Sequence, residues 1–118
     1  GQLASGEAMT VEIICEADTG DDRVFLFAVS LQIHGPYEPY RYYNPTHSVD
    51  ASISSWARES LLSYAEGSAD ADHGLQRLID WAKKRQRPTI IAFFGDHLPP
   101  LGPVYVETGF LKDNVAPR

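Results

Sequence analysis

Two short apolar runs constrain this chain more than any other feature. Residues 23–33 contain Val24-Phe25-Leu26-Phe27-Ala28-Val29, and residues 88–94 contain Thr89-Ile90-Ile91-Ala92-Phe93-Phe94. Neither shows the polar–apolar alternation of a half-exposed strand. Short continuous runs rich in β-branched and aromatic residues read as strands buried on both faces, as in a parallel sheet covered by helices. Both fall far below the roughly 20 apolar residues of a membrane span. The first ends at Gly35-Pro36 and the second at Gly95-Asp96, where glycine and proline punctuate the chain. Between them, Leu61, Tyr64, Ser68, Ala71, Leu75, Leu78 and Ala82 recur every three to four residues and predict a helix over 51–85. Two buried strands joined through a loop and a long helix imply a right-handed parallel crossover, so the expected fold class is α/β. Two strands do not make a stable sheet alone. The 118 residues therefore read as part of a larger α/β domain, or as a chain that needs partners to complete its sheet.

The remaining segments are weaker signals. A helix is expected from Ser5 to Ala17, with Ser5 as its N-cap and Glu7 in its first turn. Asp18-Thr19-Gly20-Asp21-Asp22 is a turn cluster. The loop over 36–48 carries Tyr37, Tyr40, Tyr42 and Tyr43; it reads as an ordered lid packed on the domain, or as the lining of a substrate groove. Gly67, Ala71 and Gly74 share one helix face, which suggests close approach of another backbone. Lys83, Lys84 and Arg85 complement the helix dipole, and Pro88 blocks its continuation. Little regular structure is expected after Pro100. Cys15, in Val11-Glu12-Ile13-Ile14-Cys15, reads as a small buried hydrophobe.

Charge narrows the function classes. Lys and Arg number 10 against 16 Asp and Glu, a formal net charge of −6. Nucleic acid is excluded as a partner, because phosphate neutralisation needs excess basic residues. An anionic membrane face is disfavoured for the same reason. The single cysteine allows no internal disulfide.

Candidate chemistry sits at the ends of the two runs. In open α/β sheets, ligands bind at the carboxyl ends of the strands. Here those ends present His34 on one side and Asp96 and His97 on the other. A carboxylate and an imidazole suit a divalent metal such as Mn²⁺ or Zn²⁺. They equally read as a capping aspartate and a satisfied histidine. His34 reads as a donor to an anionic substrate oxygen, or as a histidine bonded to a neighbouring carbonyl. Asp70, Asp72 and His73 read as a solvated helix face. A phosphate-binding glycine loop, a Gly-x-Ser-x-Gly elbow and a Cys-x-x-Cys pair are all missing from the sequence.

Three blocks carry a resemblance. An apolar run leads into His34-Gly35-Pro36-Tyr37, a helix carries Tyr64, Asp72, Leu75 and Leu78, and a second apolar run leads into Gly95-Asp96-His97-Leu98-Pro99. In that order and spacing they resemble the C-terminal part of the sulfatase-like catalytic domain of the lipoteichoic acid synthase and phosphoglycerol transferase family, within the alkaline phosphatase superfamily. Ile33 departs from the family pattern, which often has a polar residue there. The resemblance implies residues 1–118 as a partial sulfatase-like domain, with Asp96 and His97 as metal ligands and His34 as a substrate contact. The implied cofactor is Mn²⁺ or Mg²⁺; the donor types would also accept Zn²⁺ or Ca²⁺. It implies a metal-dependent phosphoryl or sulfuryl transferase or hydrolase acting on cell-envelope substrates, with an anionic lipid, polyol phosphate or sulfate ester as substrate. The family's nucleophile lies upstream of the His-Gly-Pro-Tyr block, so no catalytic nucleophile is expected in this chain, and the piece is expected to be inactive without the remainder of its catalytic domain. The parent is expected to be membrane-anchored with an extracytoplasmic catalytic domain, the piece itself soluble.

Two other readings compete. In one, the chain is a non-catalytic module that binds a glycan or a protein through the Tyr-rich loop 36–48. In the other, His34, Asp96 and His97 form a structural zinc site with His47 or His73.

Overall fold

The computed structural model describes residues 6–111. Its helices are α1 (Gly6–Asp18), α2 (Ser55–Lys84) and α3 (Pro103–Glu107). The chain forms two compact units. One joins the described residues up to Ile33 with Ala69–Phe94; the other joins His34–Ser68 with the described residues from Gly95 onward. Helix α2 is divided between them after Ser68. No helix among the described residues is long and apolar enough to cross a membrane.

In the first unit, α1 runs parallel to the second half of α2. Glu7 meets Arg77 at 3.0 Å, and Asp18 accepts from Trp81 Nε1 at 2.9 Å. Gly74 makes the approach close: a Cβ there would lie 3.1 Å from Thr10 Oγ1. Thr10 is buried and its hydroxyl donates to Gly6 O at 2.9 Å, so it has little room to yield. The expected backbone approach is therefore present at Gly74. The helix expected at Ser5–Ala17 is α1, while its proposed cap Ser5 lies outside the described residues. Cys15 is exposed rather than buried. Thr10 and Ala17 are the buried residues of α1, seven positions apart on one face, and at 100° per residue Cys15 points well away from them.

Helix α1 has no basic residue in its last turn, and Arg85 supplies one from outside. Its guanidinium donates to Ala17 O at 2.9 Å, pairs with Asp18 at 3.1 Å, and lies 4.4 Å from the centroid of the Trp81 ring. An orphan helix carbonyl and the negative end of the dipole are both answered. Arg87 does the same for the expected turn, donating to the carbonyls of Gly20 and Asp21 at 3.2 and 2.9 Å and to that of Asp22. Gly20 has φ 72°, a left-handed conformation that glycine adopts without strain.

The runs 23–33 and 88–94 belong to this unit, and they carry no strand ladder among the described residues. Their apolar side chains stand outward: Phe25 is 89% exposed and Ile90 96%. The described residues thus contain three helices and no β-strand. Strands persist only where neighbouring strands satisfy their backbone groups.

The second unit has its core in Tyr37, Ala57, Leu101 and Val104, flanked by Ile53, Leu61, Tyr64 and Tyr105. Helix α2 starts at Ser55 rather than 51 because Ser54 caps it: its hydroxyl accepts from Ala57 N–H at 3.2 Å, and Arg58 N–H closes onto Ser54 O. Glu107, from α3, completes the cap by accepting the Ser54 hydroxyl at 2.7 Å and its N–H at 2.5 Å. Helix α3 was not expected. A single turn shows no periodicity, and its only sequence signal is Pro103 at its start after Gly102.

The loop 36–48 is tied at both ends. Tyr37 is buried and meets the Tyr64 ring edge-on at 5.3 Å, and Ser63 Oγ donates to Glu38 O at 2.8 Å. At the far end the buried Glu66 carboxylate accepts Thr46 N–H at 2.5 Å, His47 N–H at 2.6 Å, and His47 Nδ1 at 2.9 Å. Desolvation pushes the Glu66 carboxyl upward, but the hydrogen bonds from His47 and Thr46 outweigh it and leave the pKa below the usual glutamate value.

This sets a pH dependence. A carboxyl with a depressed folded pKa stabilises the fold fully above its unfolded pKa, and that contribution is lost as pH falls through the folded value. The melting temperature is therefore expected to drop on acidification below the ordinary glutamate range. Glu66→Gln should lower it at pH 7 and flatten that acid dependence, measured by thermal melts across pH. A melt of Glu66→Gln parallel to the wild type at every pH would contradict the anchor.

Candidate functional site

All three sequence-selected residues lie in the second unit. His34 and His97 face each other edge-on with ring centroids 6.3 Å apart. Asp96 Oδ1 is 3.7 Å from His97 Nε2. All three side chains are open to solvent. Tertiary structure therefore brings the two chain segments together.

The packing beneath them explains the convergence. Tyr37 and Leu101 share one core cluster, and they follow His34 and His97 by three and four residues. Gly35 lies against Pro100, where a Cβ would come within 3.0 Å of the proline ring. Any larger residue at 35 would have to push the Pro100 ring aside for the His-Gly-Pro-Tyr block to sit this near the Leu-Pro-Pro block.

The two histidines share a hydrogen-bond pattern. His34 Nδ1 lies 2.6 Å from Gly35 O, and His97 Nδ1 lies 2.8 Å from Leu98 O. A carbonyl only accepts, so Nδ1 carries the proton in both rings and Nε2 keeps the lone pair. That is the tautomer that presents Nε2 to a metal or an acidic proton, held by an outer carbonyl. The two readings of His34 therefore coexist, since it bonds a neighbouring carbonyl through one nitrogen and keeps the other for a ligand.

The donor set fits a divalent cation in kind: one carboxylate and imidazole nitrogen of the right tautomer. It is not a closed site. Among the described residues, no three His, Cys, Asp or Glu side chains gather closely enough to hold a metal. The zinc alternative gains nothing further, since His47 is engaged by Glu66 and His73 belongs to the first unit. There His73 lines a polar cleft of about 370 Å³ with Glu7, Gln32, Asp70, Gly74 and Arg77. Its charged groups already have partners: Arg77 pairs with Glu7, and Asp70 accepts from Gln32 Nε2 at 2.7 Å. Asp70, Asp72 and His73 are exposed, as a solvated helix face requires.

Two contributors escaped the sequence reading. Arg41 donates to His34 O at 3.2 Å and so ties the loop to the histidine's own backbone. Glu66 holds the loop's far end. Arg41 is one polar residue among tyrosines, and Glu66 falls among the mixed polar and small residues of α2, so neither carried a periodic or motif signal.

The family model described as Sulfatase matches residues 4–116. A protein of Rhizobium meliloti (strain 1021) named as a cyclic beta-1,2-glucan modification protein is 50% identical over all 118 residues, covering 100% of this chain and 18% of that protein. The capsular polysaccharide biosynthesis protein RkpI of the same strain is 35% identical over 97 residues, 82% of this chain and 15% of that protein. The chain thus spans less than a fifth of the length of these relatives. No solved structure matches it.

The Gly35 contact generates a prediction. Gly35→Ala should push the Pro100 ring away and separate the two histidines, seen as a weakened His34–His97 ring cross-peak by NMR. An unchanged cross-peak would show that the glycine does not set their spacing.

Proposed function

The chain belongs to the sulfatase family, and from that membership we propose that it is part of a metal-dependent phosphoryl or sulfuryl transferase or hydrolase that modifies cell-envelope polysaccharide. The observation that carries the proposal is the pairing of His34 and His97 beside Asp96, with Nε2 of both rings left to ligands. Asp96 and His97 hold a divalent cation, Mn²⁺ or Mg²⁺, together with ligands from elsewhere in the domain. The cation, when bound, supplies Lewis-acid stabilisation of charge on the transferred group.

His34 contacts the phosphoryl or sulfuryl group, or the incoming substrate, through Nε2. Its Nδ1 bond to Gly35 O fixes the ring plane for that contact, and Arg41 fixes the backbone behind it. The attacking nucleophile comes from the remainder of the catalytic domain, so the 118 residues alone are expected to show no turnover. The two relatives, named for glucan modification and capsular polysaccharide biosynthesis, support a polysaccharide acceptor. Within the family, phosphoglycerol transfer of the lipoteichoic acid synthase kind is our finer reading, from an anionic lipid or polyol-phosphate donor. The α/β fold is part of the same proposal: 23–33 and 88–94 are parallel strands whose sheet is completed by that remainder, in a membrane-anchored parent acting outside the cytoplasm.

The test is hydrolysis of a small aromatic phosphodiester and of the matching sulfate ester by the full-length protein. Turnover should require Mn²⁺ or Mg²⁺, fall to background in Asp96→Ala and His97→Ala, and drop on the order of a hundredfold in kcat in His34→Ala, the loss typical of one transition-state contact. Turnover that survives chelation and Asp96→Ala would overturn the proposal.

A further inference from the structure

We propose that the loop 36–48 is the acceptor subsite of this enzyme, with Tyr40 and Tyr43 as rings on which a neutral polysaccharide stacks. The inference rests on the polysaccharide-modifying reading above and adds the residues that would read the acceptor.

The loop divides its tyrosines by role. Tyr37 is spent on the core. Tyr40 and Tyr43 are 79% and 96% exposed, although each aromatic ring left in water forgoes a large burial gain. Such exposure is ordinary in a loose loop, but this loop is held at both ends and at Arg41 between them. Ser63 fixes Glu38, Arg41 reaches the His34 carbonyl, and Glu66 gathers Thr46 and His47. Tyr40 has φ 62°, a left-handed conformation that costs a bulky residue free energy and persists only where the surroundings enforce it. The anchoring therefore displays the two rings.

Arg41 stands between the two tyrosines in sequence and donates to the His34 carbonyl, which ties the loop to the candidate site.

The chemistry of the loop selects the occupant. A sugar ring offers an apolar C–H face and a rim of hydroxyls. Tyrosine rings take the face at low entropic cost, because they have only two side-chain torsions. Glu38, Arg41 and Asn44, interleaved with the tyrosines and exposed, can exchange hydrogen bonds with the rim. The net charge of −6 disfavours polyanions such as nucleic acid and leaves a neutral polymer unopposed.

Calorimetric binding of cyclic β-1,2-glucan to the full-length protein tests this directly. Tyr40→Ala with Tyr43→Ala should weaken binding about tenfold, while hydrolysis of the small phosphodiester, which has no glycan, stays at the wild-type rate. Tyr40→Phe with Tyr43→Phe should retain affinity, because stacking needs the ring and not the hydroxyl. An affinity untouched by the alanine pair, a phenylalanine pair as damaging as the alanine pair, or a wild type that does not bind the glucan would each overturn the subsite. Asp96→Ala separates the two ideas: it should abolish ester hydrolysis and leave glucan affinity intact. Hydrolysis that survives Asp96→Ala would sink the catalytic reading, while the affinity data decide the loop independently.

Discussion

The candidate site depends on a small apolar cluster. Tyr37 and Leu101 are buried together against Ala57 and Val104, and they follow His34 and His97 by three and four residues. Burying an aromatic and an aliphatic side chain in one cluster is worth a few kcal/mol, far more than the solvent-exposed histidines could gain from contact with each other. The core therefore sets where His34 and His97 stand. Gly35 and Pro100 then set how closely their segments approach.

Around that cluster, charged side chains do the work that a sheet ladder does elsewhere. Glu66 accepts backbone N–H groups of the loop, and Glu107 accepts the N–H of the α2 cap. In both cases hydrogen bonds exceed the cost of desolvation, so both carboxyls sit below their usual pKa. In the other unit the polarity is reversed, with Arg85 and Arg87 donating to carbonyls at the end of α1 and in the turn that follows. Backbone polar groups must find partners wherever the chain is irregular. Here long-range side chains, rather than local turns, supply them.

The apolar runs follow the opposite logic. Phe25, Phe27, Ile90 and Phe94 stand exposed, and covering apolar surface of this kind is worth about 25 cal/mol per Å². In the α/β arrangement we propose, sheet neighbours and helices provide that cover, and the histidine pair lies where the two runs end. The two exposed tyrosines differ from these residues because the loop that carries them is anchored at both ends and at Arg41. Their exposure is a property of an ordered segment, and it points toward a ligand rather than toward missing sheet.

Much of this was legible in the residues alone. The long helix, α1, the turn after it and the close approach at Gly74 follow from periodicity and from glycine placement, which are local properties. His34, Asp96 and His97 stood out because each follows an apolar run that a glycine breaks. Other features had no local signal. The capping of α2 by Glu107, the grip of Glu66 on Thr46 and His47, and the tether from Arg41 to His34 are pairings between residues distant in sequence or without periodic context. The exposure of Cys15 depended on which face of α1 found a partner, and α3 was too short to show a period. Local patterning thus determined the helices and the chemical identity of the site. Only tertiary packing decided that the two histidines meet and which tyrosines remain outside the core.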